Sequence, residues 1–505
     1  MTQFFSCSKN RRILFWGILL LALVLRLAAI GARPLWYDEA FAILFAQEGL
    51  ADMLTGTLTP ANGSAADVHP LAYYTCLHAW MMFFGQSPWA VRSFSVLLGM
   101  GVLLIVYVWV RDFYDPRLAA LALLLVAISP FQIHYAQEVR MYAMMTFFLM
   151  GATYSLWKGM MSQLWSWWLL FATFSALAQY THNLAGFYLL PLALIPLLKR
   201  EWRSLRAVIV SGLAAVILYA PWLLRLPAQF DKVRTSYWVA TPSPARLLTT
   251  LLSFVTNLPL PDAWLPAALF ATLFLVVLGF WQTFRAWQSS RKGVGFSLWL
   301  VYLAFVPPLF LYFFSLWQPV YIERALLPSG VIFLLWLAWV LSRSGLPRWM
   351  SGFAAAILLI GMGMGIYQHI TYRGFPYGSY QALDSHLAQE ISPGDRIVHS
   401  NKLTMLPAVY YDRDLPQSYI ADSPGSGSDT LALPTQQILG LIAEPDIEAA
   451  VGEASRVWLL IFIQAIEEYQ VQGYDHPHIA WLEENFVFER VDAWDDIQLY
   501  VYVRE

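Results

Sequence analysis

Four short clusters in this chain hold residues able to do acid–base or phosphate chemistry, and each sits beside a long apolar run. The first is Leu35-Trp36-Tyr37-Asp38-Glu39-Ala40, two adjacent carboxylates just past the first such run. A carboxylate held at a bilayer surface can take a proton from a hydroxyl group, which activates an alcohol beside a lipid-borne substrate. Adjacent residues point in different directions on a helix or a strand, so Asp38 and Glu39 need not serve one centre. Acids in the first turn of a helix are also favoured by its dipole, and residues 40–47 are good helix formers. Capping and chemistry therefore both stay open.

His69-Pro70-Leu71-Ala72-Tyr73-Tyr74 follows Asp67 and reads as a helix start with Pro in its first turn. Its imidazole could ligate a metal, bond a phosphate or satisfy a loop carbonyl. The third cluster runs from Ser129 to Tyr142, where His134, Glu138 and Tyr142 recur at the four-residue spacing of one helix face. Ionisable groups at such depth are costly and by default functional; the simpler alternative is a Glu138–Arg140 surface pair anchoring a turn. The fourth is Tyr321-Ile322-Glu323-Arg324-Ala325-Leu326-Leu327-Pro328. The Arg324 guanidinium suits two phosphate oxygens at once, or it snorkels to lipid headgroups. His182-Asn183, Arg225, Lys232 and Arg234 are weaker candidates. Asn62-Gly63-Ser64 matches a glycosylation sequon, a triplet common by chance. The sequence has no glycine-rich phosphate loop and no paired-cysteine metal motif.

The elements that must position these clusters are membrane helices. Of 505 residues 58% are hydrophobic and only 13% charged, with a mean hydropathy of +0.53; soluble domains carry roughly 25% charged residues. A net charge of −2 gives no electrostatic footprint for nucleic acid. Apolar runs of spanning character fall near 13–31, 89–110, 118–135, 139–157, 165–183, 186–198, 207–224, 264–284, 296–316, 326–342 and 350–369, eleven in all. The first reads as a retained span rather than a signal peptide, because it is long, contains Arg26 and lacks a small-x-small cleavage site. Alternate short loops carry Lys9, Arg11 and Arg12; Arg111 and Arg117; Lys158; Lys199, Arg200, Arg203 and Arg206; Arg285, Arg291 and Lys292; Arg343 and Arg348. These loops are nearly free of acids, which marks the cytoplasmic side. The chemistry-bearing residues gather on the opposite face. Cys7 and Cys76 then lie on opposite sides, so no structural disulfide is expected.

Three segments are not spans. Residues 32–88 form a long first outer loop with interfacial helices at 39–54 and 73–84, and residues 225–262 form a second, rich in Pro and Trp. The chain therefore divides into a transmembrane domain, 1–372, and an extracytoplasmic α/β domain, 373–505. In the latter the pattern predicts helices at 379–391 and 433–453, strands at 396–400 and 456–463, and a terminal hairpin of 486–494 with 497–504.

The Trp-Tyr-Asp-Glu motif, the His-Pro-Leu-x-Tyr-Tyr helix start, Arg92-Ser93 opening the second span and the Gln137-Glu138-x-Arg140-Met141-Tyr142 segment together resemble glycosyltransferase family 39. This is the polyprenyl-phosphate-sugar-dependent branch of the GT-C superfamily, which includes protein O-mannosyltransferases and the aminoarabinose transferase of lipid A. The resemblance is strongest over 30–200 and returns at 321–328, where Ala325 stands in place of a common family Tyr. It implies a GT-C type polytopic α-helical protein of about 11 spans. It also implies inverting transfer of a hexose or pentose from a polyprenyl-phosphate donor to an acceptor hydroxyl of a protein, lipid or envelope polymer. The expected place is the outer face of a bacterial plasma membrane. Asp38 would be the general base with Glu39 beside it, and Arg140, Arg324, His69 and His134 would handle the donor phosphate. A phosphate already leaves well, so a base near the acceptor and cations near the phosphate suffice. Some relatives bind a divalent metal, for which Glu39, His69, Glu138 and His182 could supply ligands, but no spacing here requires one. A transporter or flippase would instead place ionisable groups near the bilayer midplane on broken helices. A non-catalytic sensor or assembly protein would leave the outer carboxylates and arginines without a purpose.

Overall fold

In the computed structural model, which describes residues 9–61, 64–65, 68–236, 239–422 and 430–505, helices stand at each of the eleven apolar stretches. Cys7, Asn62, Gly63 and Asp67 lie outside the described residues, and with them the sequon. Six helices are long and apolar enough to cross a membrane: Pro88–Phe113, Trp202–Leu223, Leu265–Gln288, Val294–Ser315, Glu323–Arg343 and Arg348–Thr371. A seventh crossing arises if Pro116–Ala127 and Pro130–Ala136 count as one bent span. By that measure six or seven of the described helices qualify, while helices stand at all eleven stretches. Of the others, the helix Lys9–Leu27 carries Arg11, Arg12 and Arg26, and Trp165–Thr181 and Gly186–Leu198 have 17 and 13 residues.

The chain forms two units, one of Met1–Ile30, Arg92–Leu224 and Val239–Thr371, the other of Gly31–Val91, Arg225–Trp238 and Tyr372–Glu505. In the first unit, Pro130 divides the third apolar stretch. Proline has no N–H and disfavours helix at the residue before it, so the helix stops at Ala127 and restarts at Pro130 bent by 61°. Ser129 caps the restart, its Oγ accepting from Gln132 N at 3.4 Å. The break frees carbonyls that lipid cannot satisfy. Arg26, fully buried, donates to Ala127 O at 2.9 Å and Val126 O at 3.3 Å. In return the Gln137 amide donates to the carbonyls of Arg26, Ala28 and Leu25 at 2.8, 2.9 and 3.3 Å, at the end of the first helix. Arg92 donates to Ile30 O at 2.8 Å. Other helices approach the break through small residues. Ser95 Oγ donates to Glu138 O at 2.6 Å, and a Cβ on Gly99 would meet Ala136 at 3.0 Å. A Cβ on Gly365 would meet the Thr256 carbonyl oxygen at 1.8 Å and Pro130 at 2.7 Å. Thr256 ends a helix, Ala245–Thr256, where the sequence suggested only loop.

The second unit holds a two-stranded ribbon, β1 (Pro60–Ala61) with β2 (Ser64–Ala65), and a five-stranded sheet. The sheet strands are β3 (Asp395–His399), β4 (Gln417–Tyr419), β5 (Arg456–Phe462), β6 (Val487–Trp494) and β7 (Ile497–Val503), in the order β4-β3-β5-β7-β6. β3 is parallel to β4 and β5, while β5, β7 and β6 pair antiparallel, so the expected hairpin is present. β5 is central and apolar on both faces: Val457, Leu459 and Ile461 face one core, Trp458, Leu460 and Phe462 the other. The expected helix at 433–453 is two helices, Leu433–Leu439 and Ile447–Val451. Gly440, at φ +67°, ends the first, and Asp446 caps the second through Ala449 N at 2.8 Å. The interfacial helices are present as Tyr37–Gln47, Gly49–Leu58 and Ala72–Phe84. They share this unit's packing with the C-terminal segment. Lys402–Tyr411 lies against Tyr37–Gln47, Tyr410 donates to Gln86 O at 2.6 Å, and Thr435 donates to Gly56 O at 2.9 Å.

Two stability predictions follow from these contacts. Gly365→Ala should cost about 1–3 kcal/mol through overpacking, while Gly363→Ala, with nothing within 4 Å of its added carbon, should be near neutral. Thermal unfolding in detergent compares them, and equal midpoints would exclude the close approach. Asp384, in the helix Tyr380–Glu390, is buried with neither oxygen hydrogen-bonded. Burial, then the nearby Asp412, push its carboxyl up from 3.8 to about 8. The folded chain keeps a proton that the unfolded chain gives up, so stability from this group is greatest below 3.8 and is lost as pH rises through about 8. Asp384→Asn should therefore raise the unfolding midpoint of the full chain at alkaline pH and flatten its decline above the carboxylate range. Unchanged pH dependence would contradict this.

Candidate functional site

The acid pair lies in the second unit, where the chain turns from extended at Trp36 (φ −98°, ψ 170°) into the helix Tyr37–Gln47. Asp38 and Glu39 are the second and third helical residues, and no side chain caps the start. The N–H groups of Glu39 and Ala40 both donate to Trp36 O at 3.0 Å, which tightens the acid-bearing turn. The two carboxylates diverge: Glu39 is fully buried and Asp38 half-buried. Further along, Phe41 and Phe45 stand edge-on to Tyr74 of the helix Ala72–Phe84, with ring centroids 6.2 and 5.4 Å apart. His78 Nδ1 bonds Ala46 O at 2.6 Å between the same helices. His69, half-buried, occupies a bend before this second helix, which begins at Ala72 with Leu71 as its cap rather than at Pro70. Asp38, Glu39 and His69 thus belong to adjoining elements of one unit. Arg33 lies over the Tyr377 ring at 5.0 Å. Arg225 and Arg234 are exposed and Lys232 half-buried, along or beside the helix Leu226–Ser236.

The remaining candidates lie in the first unit, around the bend at 137–140 between Pro130–Ala136 and Tyr142–Ser162. Glu138 and Arg140 are both buried, at 2% and 3% exposure, so they are not a surface pair. His134 Nε2 bonds Glu138 Oε1 at 3.0 Å, as the four-residue spacing suggested, but Glu138 sits in the bend and not on a continuing helix. Tyr135 and Tyr142 meet edge-on at 5.6 Å, and the Arg324 guanidinium lies over Tyr142 at 5.3 Å. Tyr135 is within electrostatic reach of Glu138, Arg324 and Glu323. Arg324 occupies a short turn, Glu323–Leu326, ahead of the buried helix Leu327–Arg343. The His182 ring lies tilted beside Tyr142, centroids 5.7 Å apart, and its Nδ1 accepts from Leu184 N at 3.1 Å, so it also caps the turn Asn183–Ala185.

The structure therefore gathers Arg324, His134, Glu138 and His182 around one aromatic pair, with Arg140 on the adjoining bend. A cation on an aromatic face beside a buried, clamped turn can hold an anion at the edge of an apolar bundle. Among the described residues no group of three His, Cys, Asp or Glu side chains could hold a metal ion, and Glu39, His69, Glu138 and His182 do not form one. No step is assigned to a metal.

Two contributors, Arg246 and His369, escaped the sequence reading, and a third, Tyr321, was quoted in it without a role. Arg246, on the unforeseen helix Ala245–Thr256, pairs with Glu323 at 3.0 Å, and Thr249 donates to the same carboxylate oxygen at 3.3 Å. Tyr321, near the position where Ala325 replaces the family Tyr, exchanges a 2.7 Å hydrogen bond with Thr250. His369, at the end of the helix Arg348–Thr371, bonds both His134 and Gln137. Its signal was present, an ionisable residue at the mouth of an apolar span.

A family profile described as Dolichyl-phosphate-mannose-protein mannosyltransferase matches residues 68–224. A curated protein named "Putative mannosyltransferase YkcB", from Bacillus subtilis (strain 168), is 23% identical over 235 residues, 45% of this chain and 32% of that protein. The chain thus matches about a third of that relative's length. Among solved structures, ArnT from Cupriavidus metallidurans in the apo state aligns over 96% of this chain and 97% of its own, at 12% identity and a TM-score of 0.62. The same protein bound to undecaprenyl phosphate aligns over 98% of both chains, at 12% identity and a TM-score of 0.63. The apo Archaeoglobus fulgidus oligosaccharyltransferase aligns over 97% of this chain and 74% of its own, at 11% identity and a TM-score of 0.50. These likenesses show an ArnT-like fold. Over residues 68–224 the chain is similar to that mannosyltransferase profile, and its long apolar helices fit an integral membrane protein.

Proposed function

We propose that the chain transfers one sugar, with inversion, from a polyprenyl-phosphate carrier to an acceptor hydroxyl at the non-cytoplasmic face of the membrane. The acceptor oxygen bonds to the anomeric carbon as the bond from that carbon to the phosphate oxygen breaks. The hydroxyl proton passes to the Asp38 carboxylate, and the electron pair leaves with the lipid phosphate. Arg140 and Arg324 hold that phosphate, with His69 assisting, and Glu39 backs the acid-bearing turn. His134, expected to help with the phosphate, has both ring nitrogens engaged by His369 and Glu138 and holds the bend instead. The observation that carries this reading is Arg324 seated on the Tyr142 ring beside the bend that bears buried Arg140. Such a cationic edge on an apolar bundle suits a headgroup whose tail stays in lipid. The similar proteins point the same way: one is named a putative mannosyltransferase, and another is described bound to undecaprenyl phosphate.

One feature favours the transporter reading, the span broken at Ile128-Ser129. The freed carbonyls of Val126 and Ala127 are, however, already taken by Arg26, which removes the ligands a transported ion would use.

Three outcomes test the proposal. Incubation with a panel of labelled polyprenyl-phosphate sugars should show one label leaving its carrier. Asp38→Asn should lower transfer by about 100-fold or more while the protein stays folded and membrane-inserted; normal turnover would remove Asp38 from the mechanism. Arg324→Ala should raise the donor KM by about tenfold, as loss of a charged hydrogen bond does, and leave the acceptor KM unchanged. Equal effects on both substrates would refute a phosphate role.

A further inference from the structure

Four side chains form an unbroken hydrogen-bonded line in the helical unit, and its polarity is set at one end. The Gln137 amide nitrogen is committed to the carbonyls of Arg26, Ala28 and Leu25, so its oxygen faces the other way and can only accept. His369 Nε2 lies 2.7 Å from that oxygen and must carry the hydrogen between them. His369 Nδ1 is 3.0 Å from His134 Nδ1, and His134 Nε2 is 3.0 Å from Glu138 Oε1.

His369 is the member of this line that arrives from a distant helix. It bonds Gln137 at the first position of the bend, and it bonds His134, whose ring in turn holds Glu138 at the second. The backbone of the bend is also tied by Ser95 to Glu138 O and by Gln137 N to the Ile133 and His134 carbonyls. The imidazole joins the two side chains that brace the turn carrying Arg140.

We propose that His369 is a positioning residue for sugar transfer: through Gln137 and His134 it fixes the 137–140 bend, and so the placing of Arg140 against the donor phosphate. This rests on the phosphate role given to Arg140 above. His369 touches neither sugar nor acceptor in this scheme, so its loss is felt in donor binding.

The test compares His369→Phe with His369→Gln in the purified full-length protein. Phe keeps the ring and loses both bonds; Gln can donate to Gln137 and accept from His134. The Phe variant should raise the donor KM by about tenfold, as small misplacements of binding groups do, with the acceptor KM unchanged, and the Gln variant should recover most of that loss. A Phe variant with the wild-type donor KM, or a Gln variant no better than Phe, overturns the proposal. Should the Phe variant not fold, His369→Asn, whose shorter amide cannot span both bonds, takes its place. A second readout does not depend on transfer. In protein labelled with ring-¹⁵N histidine, the His134 nitrogens should shift in the Phe variant and return in the Gln variant; unchanged His134 signals also overturn the proposal. Absence of transfer by the wild-type protein across the donor panel would instead count against the sugar-transfer reading, leaving the ¹⁵N result to judge the line itself.

Discussion

A charge buried in an apolar bundle is tolerated here because a helix has been broken next to it. Arg26 on a single apolar helix would be costly, and the open carbonyls at Ala127 would be costly too. Placed together they cancel, since the guanidinium takes the Val126 and Ala127 oxygens. Gln137 does the reverse for the end of the first helix. These two side chains lock the start of the chain to both sides of the bent segment. The bend at 137–140, with Glu138 and Arg140, follows directly. Without that exchange of donors there is no fixed frame on which Arg324, Tyr142 and His134 can assemble.

Much of the bundle was legible because hydropathy reports burial in lipid, whereas the break before Pro130 was hidden inside a run that read as one span, 118–135. What could not be read was how far each helix continues once its partners are present. Residues 245–256 looked like loop, because Pro and Trp flank them, yet they form a helix packed on the last span through Thr256 and Gly365. The stretch 433–453 looked like one helix, but Gly440 in a left-handed conformation divides it. The His134–Glu138 contact was anticipated from spacing alone and is made, though by a different backbone path. His369 was missed for another reason: it lies more than two hundred residues from His134, and no periodicity links positions so far apart.

The acid-bearing helix is packed from several sides within its own unit. Buried Glu39 anchors one side, the Phe41–Phe45–Tyr74 cluster fills another, and the helix Lys402–Tyr411 closes against it. Adjacent carboxylates then differ in environment by a single step along the backbone, one sealed and one half-open. Direction on a helix is enough to set two neighbouring carboxylates in different surroundings.

That closure has a consequence for how the molecule matures. Chains emerge from the ribosome amino end first, so residues 37–47 leave the tunnel hundreds of residues before the segment that covers them. During that interval the apolar face of the helix is uncovered, and only delivery of residues 402–411 completes its packing. A product that holds every apolar helix but stops short of residues 402–411 would leave that helix face uncovered, so its packing is finished only after the spans are made.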